Sequence, residues 1–348
     1  MDKYKQMKKQ ILVAGGTGYI GSHTVVELQE RGFDVVIVDD LSNSNIEVID
    51  FITKITGIRP DFEKIDLSDK SKTEEFFEKY KNLDAIIHFA AYKAVGESVT
   101  KPLDYYHNNL NSLMNILDNM KRHDINNLVF SSSCTVYGQP DKLPVTENTP
   151  RKSAESPYGN TKAISEDIIR DCCMAHKQLN CIALRYFNPI GAHPSVLIGE
   201  LPLGVPNNLV PFITQTAAGI RKELSIFGND YNTPDGTAIR DYINVVDLAK
   251  AHVVAIDRQL NRKGNTNYEF FNVGTGEGYS VLQLVKTFID VTGVNLPYKI
   301  SERRAGDIEK IWADTTFANN ELGWKAETSL EDTLLSAWKW EERIGNKA

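Results

Sequence analysis

The sequence predicts an α/β fold, a Rossmann-like doubly wound parallel sheet followed by a smaller C-terminal α/β lobe. Continuous apolar runs such as ILVA, DVVIV and AIIHFAA lack the alternation of half-exposed strands, so we expect strands that are buried on both faces. These runs alternate with segments whose apolar residues recur at helical spacing, which is typical of a parallel sheet. A glycine-rich turn joins the first run to the first helical segment.

Length and composition narrow the function classes. The 348 residues suffice for one large domain or two modest ones, and the net charge of −7 offers no basic excess for nucleic acid. The N-terminus MDKYKQMKKQ is polar, and the ILVAGG that follows is too short to cross a bilayer. The four cysteines form no CxxC motif. We therefore expect a reduced, cytoplasmic protein that binds neither nucleic acid nor a membrane.

The first βαβ unit carries a dinucleotide signature. Gly15, Gly18 and Gly21 follow the strand QILVA and precede the helical segment HTVVELQERG. The first glycine permits a tight turn, the second lets the backbone approach a pyrophosphate, and the third lets the helix pack on the strand. The spacing is GxxGxxG and not the general GxGxxG. The alternative is a glycine turn that holds no ligand.

Acidic residues follow the next two strands. Asp39 ends DVVIVD, where a carboxylate can bind both hydroxyls of the adenosine ribose, and Asp40 adds negative charge that would repel a 2′-phosphate. We therefore predict NAD rather than NADP. Asp66, which follows a third short strand, is placed to reach the adenine.

Polar side chains also follow the fourth, fifth and sixth predicted strands. Lys93 follows DAIIHFAA, Ser133 ends NNLVFSSS, and Asn188 follows CIALRYF. Ligands of such sheets bind at the carboxyl ends of the strands, so we expect these residues to converge. The alternatives are a surface lysine, a serine that merely ends a strand, and a turn-forming asparagine before Pro189.

Tyr158 and Lys162 form a candidate catalytic pair. Ser156 suits a helix N-cap and Pro157 the first helical position, which puts Tyr158 and Lys162 on one face at the start of a helix. A cation and a helix N-terminus both favour the phenolate, so the pair is interpreted as a general base with a lowered pKa. The alternative is a solvated surface pair.

Three motifs together resemble the extended short-chain dehydrogenase/reductase family. They are GGTGYIG, SSSCTVYG and YGNTK. Longer segments resemble the UDP-hexose 4-epimerases of that family, from about Gln10 to the last tryptophan-containing helix. These segments include HFAAYKAVGESVTKPLDYYHNN, LRYFNPIGAHPS, IFGNDYNTPDGTAIRDYINVVDLA and RRAGD. Related dehydratases usually carry Thr-Asp-Glu where this chain has Ser131 to Ser133.

The resemblance implies reversible epimerisation at C4 of a UDP-hexose, from UDP-galactose to UDP-glucose, through a 4-keto intermediate with tightly bound NAD. It implies that Tyr158 removes the proton of the 4-hydroxyl, Ser133 bonds the same oxygen, and Lys162 holds the nicotinamide ribose. The implied NAD contacts are Gly15, Gly18, Tyr19, Ile20, Gly21, Asp39, Asp40, Leu41, Ser42, Asn43, Ser44, Asp66, Leu67, Phe89, Ala90, Ala91, Lys93, Asn108, Ser133, Tyr158, Lys162 and Phe187. The implied substrate contacts are Lys93, Ser133, Tyr158, Asn188, Asn208, Leu209, Ser225, Ile226, Phe227, Arg240, Arg304, Asp307 and Ile311.

Several of these residues keep a second interpretation. Arg240 precedes Asp241 and could form a local ion pair, Arg304 could belong to a solvated charge run with Arg303, and Asn208 could form a turn. Ile311 stands where some relatives carry tyrosine, so we expect some tolerance of a 2-N-acetyl sugar. No histidine spacing suggests a metal site, and none is predicted.

We divide the chain into an extension at 1–9, an NAD-binding domain at 10–186 and a substrate lobe at 187–348, which includes the strand FFNVGTG. A part near 238–258 is expected to pack back on the first domain. A homodimer is expected by analogy with the family. The competing functions are another NAD-dependent nucleotide-sugar enzyme, such as a dehydratase, decarboxylase or dehydrogenase, and a silent NAD-binding sensor. Such sensors typically lose the tyrosine or lysine that this chain retains.

Overall fold

A seven-stranded parallel sheet organises the protein. The computed structural model describes residues 8–304 and 307–345, so the predictions on 1–7, on the middle of RRAGD and on 346–348 lie outside the described residues. The strands are β1 (Gln10–Ala14), β2 (Asp34–Asp39), β3 (Asp61–Lys64), β4 (Ala85–His88), β5 (Asn127–Ser133), β6 (Asn180–Tyr186), β7 (Asn188–Ile190), β8 (Leu224–Phe227), β9 (Ile239–Arg240), β10 (Tyr242–Asn244), β11 (Tyr268–Val273), β12 (Tyr279–Ser280), β13 (Tyr298–Ser301) and β14 (Lys310–Ile311).

Ten α-helices occur in the described part of the chain. They are α1 (Tyr19–Glu30), α2 (Glu47–Thr56), α3 (Lys70–Lys79), α4 (Val95–Thr100), α5 (Pro102–Arg122), α6 (Pro157–Ala175), α7 (Leu209–Ala217), α8 (Val245–Leu260), α9 (Val281–Thr292) and α10 (Leu330–Gly345). None of these helices is long and apolar enough to cross a bilayer.

The order of the main sheet is β11-β6-β5-β4-β1-β2-β3, and every pair in it is parallel. One face packs against α1, α2 and α8 through Val25, Ile49 and Leu248. The other face packs against α3, α5 and α6 through Phe76, Ile116 and Ile169. The predicted doubly wound sheet is therefore confirmed. Its strand order reverses between β1 and β4, which is where such sheets bind nucleotides.

The seventh strand differs from the prediction. The sequence analysis assigned FFNVGTG to the smaller lobe, whereas β11 pairs with β6 from Tyr268–Cys181 to Val273–Tyr186. Phe271 and Val273 are fully buried in the core of the main sheet. Without β11, β6 would be an edge strand with unpaired backbone groups, so the late strand completes the sheet.

The smaller lobe has its own core. Helices α7, α9 and α10 pack together through Ile213, Phe288 and Leu334. The parallel pair β8 and β13 lies beside them, and β9 pairs with β12 and β14. Helix α8 packs against α1 of the first lobe. The boundary between residues 186 and 187 stays a prediction.

Candidate active site

The glycine turn between β1 and α1 is tightly closed. Gly15 has a φ of +81°, and a Cβ on it would lie 2.8 Å from the amide nitrogen of Ala90. A Cβ on Gly21 would lie 2.2 Å from the carbonyl oxygen of Gly15, so the helix can pack here only without a side chain. Gly18 occupies the N-cap position of α1, and no side chain forms a capping hydrogen bond there. A Cβ on Gly18 would meet only that Gly15 oxygen, so the first turn of α1 stays approachable.

Asp39 organises the turn after β2. Its carboxylate accepts from the amide of Thr17 at 3.2 Å and from the amide of Leu41 at 2.9 Å. The Ser44 hydroxyl donates to the same group at 3.0 Å. Leu41 adopts a φ of +62°, a left-handed conformation that leucine rarely takes, which is typical of a functional turn. Three hydrogen bonds leave one of about four acceptor positions of the carboxylate for a ribose hydroxyl.

The loops after β3 and β4 bring further predicted contacts to this edge. Asp66 accepts from the amide of Ser68, and the amide nitrogens of Phe89 and Ala90 donate to Ala14. Asn109 fixes the loop that leads to Lys93, because its side chain bonds both backbone groups of Tyr92 and the Thr161 hydroxyl. The predicted contact Asn108 donates to the side-chain oxygen of Asn109. Thr17 and Asn109 were not among the predicted site residues, although Thr17 lies inside the glycine motif.

Ser133, Tyr158 and Lys162 meet at the carboxyl end of β5. Ser156 caps α6 by accepting from the Gly159 amide, and Pro157 begins the helix, as predicted. The Ser133 hydroxyl lies close enough to the Tyr158 phenol to lower its pKa. The Lys162 ammonium donates to the carbonyl oxygen of Ser131 at 2.6 Å and lies 6.0 Å from the centre of the Tyr158 ring. All three side chains are buried, so the alternative of a solvated pair is wrong.

Burial gives these groups pKa values that differ from the prediction. Desolvation raises the pKa of Tyr158, the nearby Tyr186 raises it further, and only the hydrogen bond from Ser133 lowers it. The sequence predicts that Lys162 lowers this pKa. Burial instead lowers the pKa of Lys162 itself to about 7, against the opposing effect of Glu166. The ammonium is directed at the Ser131 carbonyl, so it does not offset the desolvation of the phenol.

A buried ion pair supports α6 behind Lys162. Glu166 accepts from the Arg185 guanidinium through both carboxylate oxygens, at 2.8 and 2.6 Å, and from the Ser132 hydroxyl at 2.6 Å. Glu166 lies four residues after Lys162, so both lie on the same face of α6. Glu166 was not among the predicted site residues, and its i, i+4 spacing from Lys162 is the signal that could have identified it.

The other half of the site comes from the smaller sheets. Asn188 begins β7, and its amide donates to the carbonyl of Asp241. Asp241 is fully buried and accepts from the amides of Thr275, Gly276 and Ala313. Its oxygens are therefore occupied by backbone groups, which argues against a local ion pair with Arg240. The Arg240 guanidinium donates to the carbonyl of Ile239 at 2.8 Å.

Phe227, Arg304 and Asp307 lie together at the outer side of this half. Arg304 pairs with Asp307 at 2.7 Å, and its guanidinium lies 5.9 Å from the Phe227 ring centre. Ser225 and Ile226 precede Phe227 in β8. Arg303 differs, because it pairs with Asp230 and stacks 4.1 Å from the Tyr231 ring. The two neighbouring arginines thus have separate environments.

Three predicted residues have surroundings that the sequence did not suggest. Ile311 is 1% exposed and packs in a cluster with Cys134 and Phe187. Asn208 precedes Leu209 at the start of α7, but its side chain does not cap the helix. It donates instead to Glu200, which also lies 3.7 Å from the Lys93 ammonium. No motif in the sequence marked Glu200.

A separate cavity of about 500 Å³ lies at the opposite edge of the sheet. It is lined by Lys9, Asp84, Asn127 and Asn180, which lie where β1, β4, β5 and β6 begin. Parallel α/β sheets bind their ligands at the other, carboxyl edge. The candidate site is therefore the edge that carries the glycine turn, Ser133 and Tyr158.

The residues at that edge fit a dinucleotide. The uncapped first turn of α1 suits a pyrophosphate, because its N–H groups and the helix dipole both favour an anion. Asp39 suits the adenosine ribose, and the Lys162 ammonium reaches the end of β5. Together they span the switch point between β1 and β4.

Sequence comparison agrees with this geometry. Residues 12–336 match the family model described as GDP-mannose 4,6 dehydratase. The chain is 50% identical to the UDP-glucose 4-epimerase of Dictyostelium discoideum over 332 residues, which is 95% of each chain. It is 47% identical to that of Homo sapiens over 343 residues, which is 97% of each chain.

The solved structures that this chain resembles are also 4-epimerases of UDP-sugars. The UDP-glucose 4-epimerase of Bifidobacterium longum in complex with NAD⁺ and UDP superposes with a TM-score of 0.93 at 44% identity, over 98% of this chain and 100% of that one. The UDP-Glc/GlcNAc 4-epimerase of Campylobacter jejuni gives a TM-score of 0.82 at 36% identity, over 96% and 99% of the two chains.

Proposed function

The chain belongs to the UDP-glucose 4-epimerase family of extended short-chain dehydrogenases/reductases, and from that premise we propose how its residues carry out the reaction. It is an NAD-dependent enzyme that epimerises UDP-hexoses at C4. The observation that supports the proposed roles is the buried meeting of Ser133, Tyr158 and Lys162 at the edge that carries the glycine turn.

Tyr158 is the proposed acid and base for the sugar 4-hydroxyl. Its phenol lies beside the Ser133 hydroxyl, so the serine can bond the reacting oxygen while the proton moves. Lys162 supplies positive charge and a donor at the end of β5. NAD, when bound, supplies reversible acceptance of a hydride. The raised pKa of Tyr158 keeps the phenol protonated in the free protein, so its action as the base requires that the phenolate be stabilised.

The substrate residues divide between the nucleotide and the sugar. Arg240 and Arg304 suit the pyrophosphate, because a guanidinium forms paired hydrogen bonds with phosphate oxygens. Phe227 offers an exposed ring for uracil, and Asp307 an acceptor for the uridine ribose. On the sugar side, Asn188 is a neutral hydrogen-bonding group and Lys93 carries a single charge. A firm hold on the nucleotide and a loose hold on the sugar let the 4-keto sugar rotate before reduction.

A coupled assay tests this proposal. Purified protein is given UDP-galactose without added NAD, and UDP-glucose is measured. We expect product, because an epimerase regenerates its NAD in each turnover. If NAD has to be added stoichiometrically, or if water is eliminated from the sugar, the protein is a dehydrogenase or a dehydratase. If no sugar changes with NAD present, the protein is a silent NAD-binding relative.

We also propose activity on a 2-N-acetyl sugar. Ile311 is smaller than tyrosine and packs in the cluster with Cys134 and Phe187. Cys134 is the residue that follows Ser133 in the chain. The structure from Campylobacter jejuni, whose name includes both UDP-Glc and UDP-GlcNAc, is consistent with such a range. Turnover of UDP-N-acetylgalactosamine is the test. Its absence, or no loss of it in Ile311→Tyr, would refute the role of Ile311.

A homodimer through α5 and α6 is a further proposal. On α5, Leu113 and Leu117 are buried in the core, whereas Leu103 and Met114 are 67% and 41% exposed. Leu103 and Met114 are eleven residues apart, so they lie on one outer stripe. In light scattering coupled to gel filtration, we expect the wild type to be a dimer and Leu103→Glu to shift it towards monomer. Tyr298→Glu, an exposed position in β13, serves as the control.

The cellular setting follows as a proposal from the substrate. We infer a role in galactose metabolism in the cytoplasm, because the enzyme connects UDP-galactose with UDP-glucose and because its four cysteines are free among the described residues. Growth of an epimerase-deficient cell on galactose, restored by this chain but not by Tyr158→Phe, tests the metabolic role.

A further inference from the structure

We propose that Glu200 is a positioning residue for the sugar end of the substrate site, acting through Lys93 and Asn208, an inference that rests on the proposed function. Glu200 lies in the segment that leads to α7, outside every motif that the sequence analysis used. Its side chain joins one residue of the first lobe to one residue of the substrate lobe.

The contacts of the Glu200 carboxylate carry this inference. One oxygen, Oε1, accepts from the side-chain amide of Asn208 at 2.5 Å and lies 3.7 Å from the Lys93 ammonium. The Glu200 side chain is 11% exposed, whereas that of Lys93 is 48% exposed. A nearly buried acid therefore meets both donors, and the exposed face of Lys93 remains open towards a substrate.

The backbone at Glu200 is fixed from the other side. The Trp340 indole in α10 donates to the carbonyl oxygen of Glu200 at 2.9 Å. A Cβ on Gly199 would lie 2.6 Å from the Trp340 ring, so the two are in close contact. The carboxylate is therefore anchored to the core of the smaller lobe and can hold Lys93 and Asn208 in place.

Asn208 shows the consequence for α7. Asparagine at an N-cap ordinarily accepts from the first-turn amides with its side-chain oxygen, yet Asn208 makes no such bond. A carboxylate only accepts hydrogen bonds, so Glu200 turns the amide nitrogen of Asn208 towards itself. The first turn of α7 is then free of a side-chain cap. The N–H groups of Leu209 and Val210 and the positive end of the helix dipole are available to a phosphate oxygen, whereas Pro211 has no N–H group.

The electrostatics agree with this arrangement. Burial raises the pKa of Glu200, and the contacts with Lys93 and Asn208 oppose that rise. The same two donors that Glu200 positions thus keep it able to act as an acceptor. The Tyr19 ring, which lies nearby at the start of α1, has its pKa raised mainly by burial and then by the Glu200 charge.

The test compares Glu200→Gln and Glu200→Ala with the wild type. Gln keeps an acceptor for Asn208 and loses the charge opposite Lys93, whereas Ala removes both contacts. We expect kcat/KM for UDP-galactose to fall by about tenfold in Glu200→Gln and by about a hundredfold in Glu200→Ala, since small misplacements of binding groups have effects of this size. The affinity for UDP, which lacks the sugar, is expected to fall less than kcat/KM.

Glu341→Gln is the matched control. Glu341 is also shielded from solvent, with 4% exposed against 11% for the Glu200 side chain, and it ties α10 to α7 by accepting from the Thr214 hydroxyl at 2.7 Å. We expect this variant to lower the melting temperature and to leave kcat/KM near that of the wild type. If Glu200→Gln behaved in the same way, Glu200 would have only a structural role and the inference would be overturned.

A double-mutant cycle with Lys93→Met identifies the route of the effect. If Glu200 acts through Lys93, the losses in Lys93→Met and Glu200→Gln will be less than additive in the double variant. Additive losses would contradict the positioning role. An inactive wild type would refute the proposed function and this inference together. An active wild type with unaffected Glu200 variants would refute only the inference. If Glu200→Ala does not fold, Glu200→Gln carries the test.

Discussion

At the scale of single residues, burial decides the chemistry of the site. Desolvation disfavours the charged form of each group, so it raises the pKa of Tyr158 and lowers that of Lys162. Both shifts favour the neutral forms in the free protein. Tyr158 is therefore protonated at neutral pH in the free protein, whereas Lys162 titrates near neutral pH.

Tyr158→Phe should remove most of the catalysis. We expect kcat to fall by about a hundredfold to ten-thousandfold, the usual contribution of a general acid or base, while the Ser133 and Lys162 side chains stay in place. Circular dichroism checks that the fold is kept, and Tyr298→Phe, at an exposed position, is the control. A variant with full activity would show that another group moves the proton.

Asp39→Asn tests the cofactor choice. The change keeps the size of the side chain and removes the charge that we propose binds the ribose, so we expect NAD affinity to fall about tenfold or more, corresponding to about 1.5–3 kcal/mol. The preference for NAD over NADP should narrow, because a 2′-phosphate is no longer repelled. Calorimetric titration with both cofactors measures this. Asp50→Asn, an exposed carboxylate paired with Arg59, should leave both affinities unchanged.

At the scale of elements, α6 links catalysis to stability. Its first turns carry Tyr158 and Lys162, and the next turn carries Glu166, which is 2% exposed and holds Arg185 from β6. Arg185 also donates to the Tyr137 hydroxyl and stacks 4.2 Å from the Phe270 ring in β11. The same ion pair therefore fixes α6, the helix that carries Tyr158 and Lys162, to two strands of the sheet.

Glu166→Ala should be strongly destabilising. Removing one partner leaves the buried Arg185 without its carboxylate, so the free energy of unfolding is expected to fall by about 3–5 kcal/mol. Urea denaturation measures this fall. Asp167→Ala is the matched control, since Asp167 is the next residue and forms exposed ion pairs with Arg151 and Arg170. Its loss should cost about 0–1 kcal/mol. Equal effects in both variants would contradict this account.

At the scale of the whole molecule, three buried histidines make stability depend on pH. Burial is the main cause that lowers the pKa of His23 and His88 to about 3 and of His252 to about 4. These groups stay neutral in the fold and gain a proton on unfolding below their ordinary pKa of 6.5. Their contribution is thus complete above pH 6.5 and is lost as the pH falls towards 4 and 3.

We therefore expect the free energy of unfolding to fall by about 1 kcal/mol for each of these histidines between pH 7.5 and pH 5.5. The raised pKa values of buried carboxyl groups, Glu147 and Asp241 among them, act in the opposite direction at lower pH. In His252→Asn, the free energy of unfolding should fall by about 1 kcal/mol less over this pH range than in the wild type. Urea midpoints at the two pH values measure it, and an unchanged slope in that variant would refute the role of His252.

The sequence determined by itself what depends on neighbours in the chain. The glycine turn, the Asp39 carboxylate at the end of β2 and the cap of α6 at Ser156 follow from local rules of turns, strands and helix ends. The apolar runs also predicted the parallel sheet, because a strand buried on both faces needs apolar residues throughout. These features predicted Ser133 at the carboxyl edge of the sheet and Tyr158 and Lys162 on one face of a helix start, and the family resemblance grouped the three.

Only the tertiary structure decided what depends on distant partners. Three such features are the pairing of β11 with β6, the ion pair of Glu166 with Arg185, and the contact of Glu200 with Asn208. Each joins two segments whose local sequence patterns do not predict that they meet. The direction of the Tyr158 pKa shift belongs here too. The sequence shows a cation four residues away, but desolvation depends on everything that surrounds the phenol, and that is fixed only when the chain has folded.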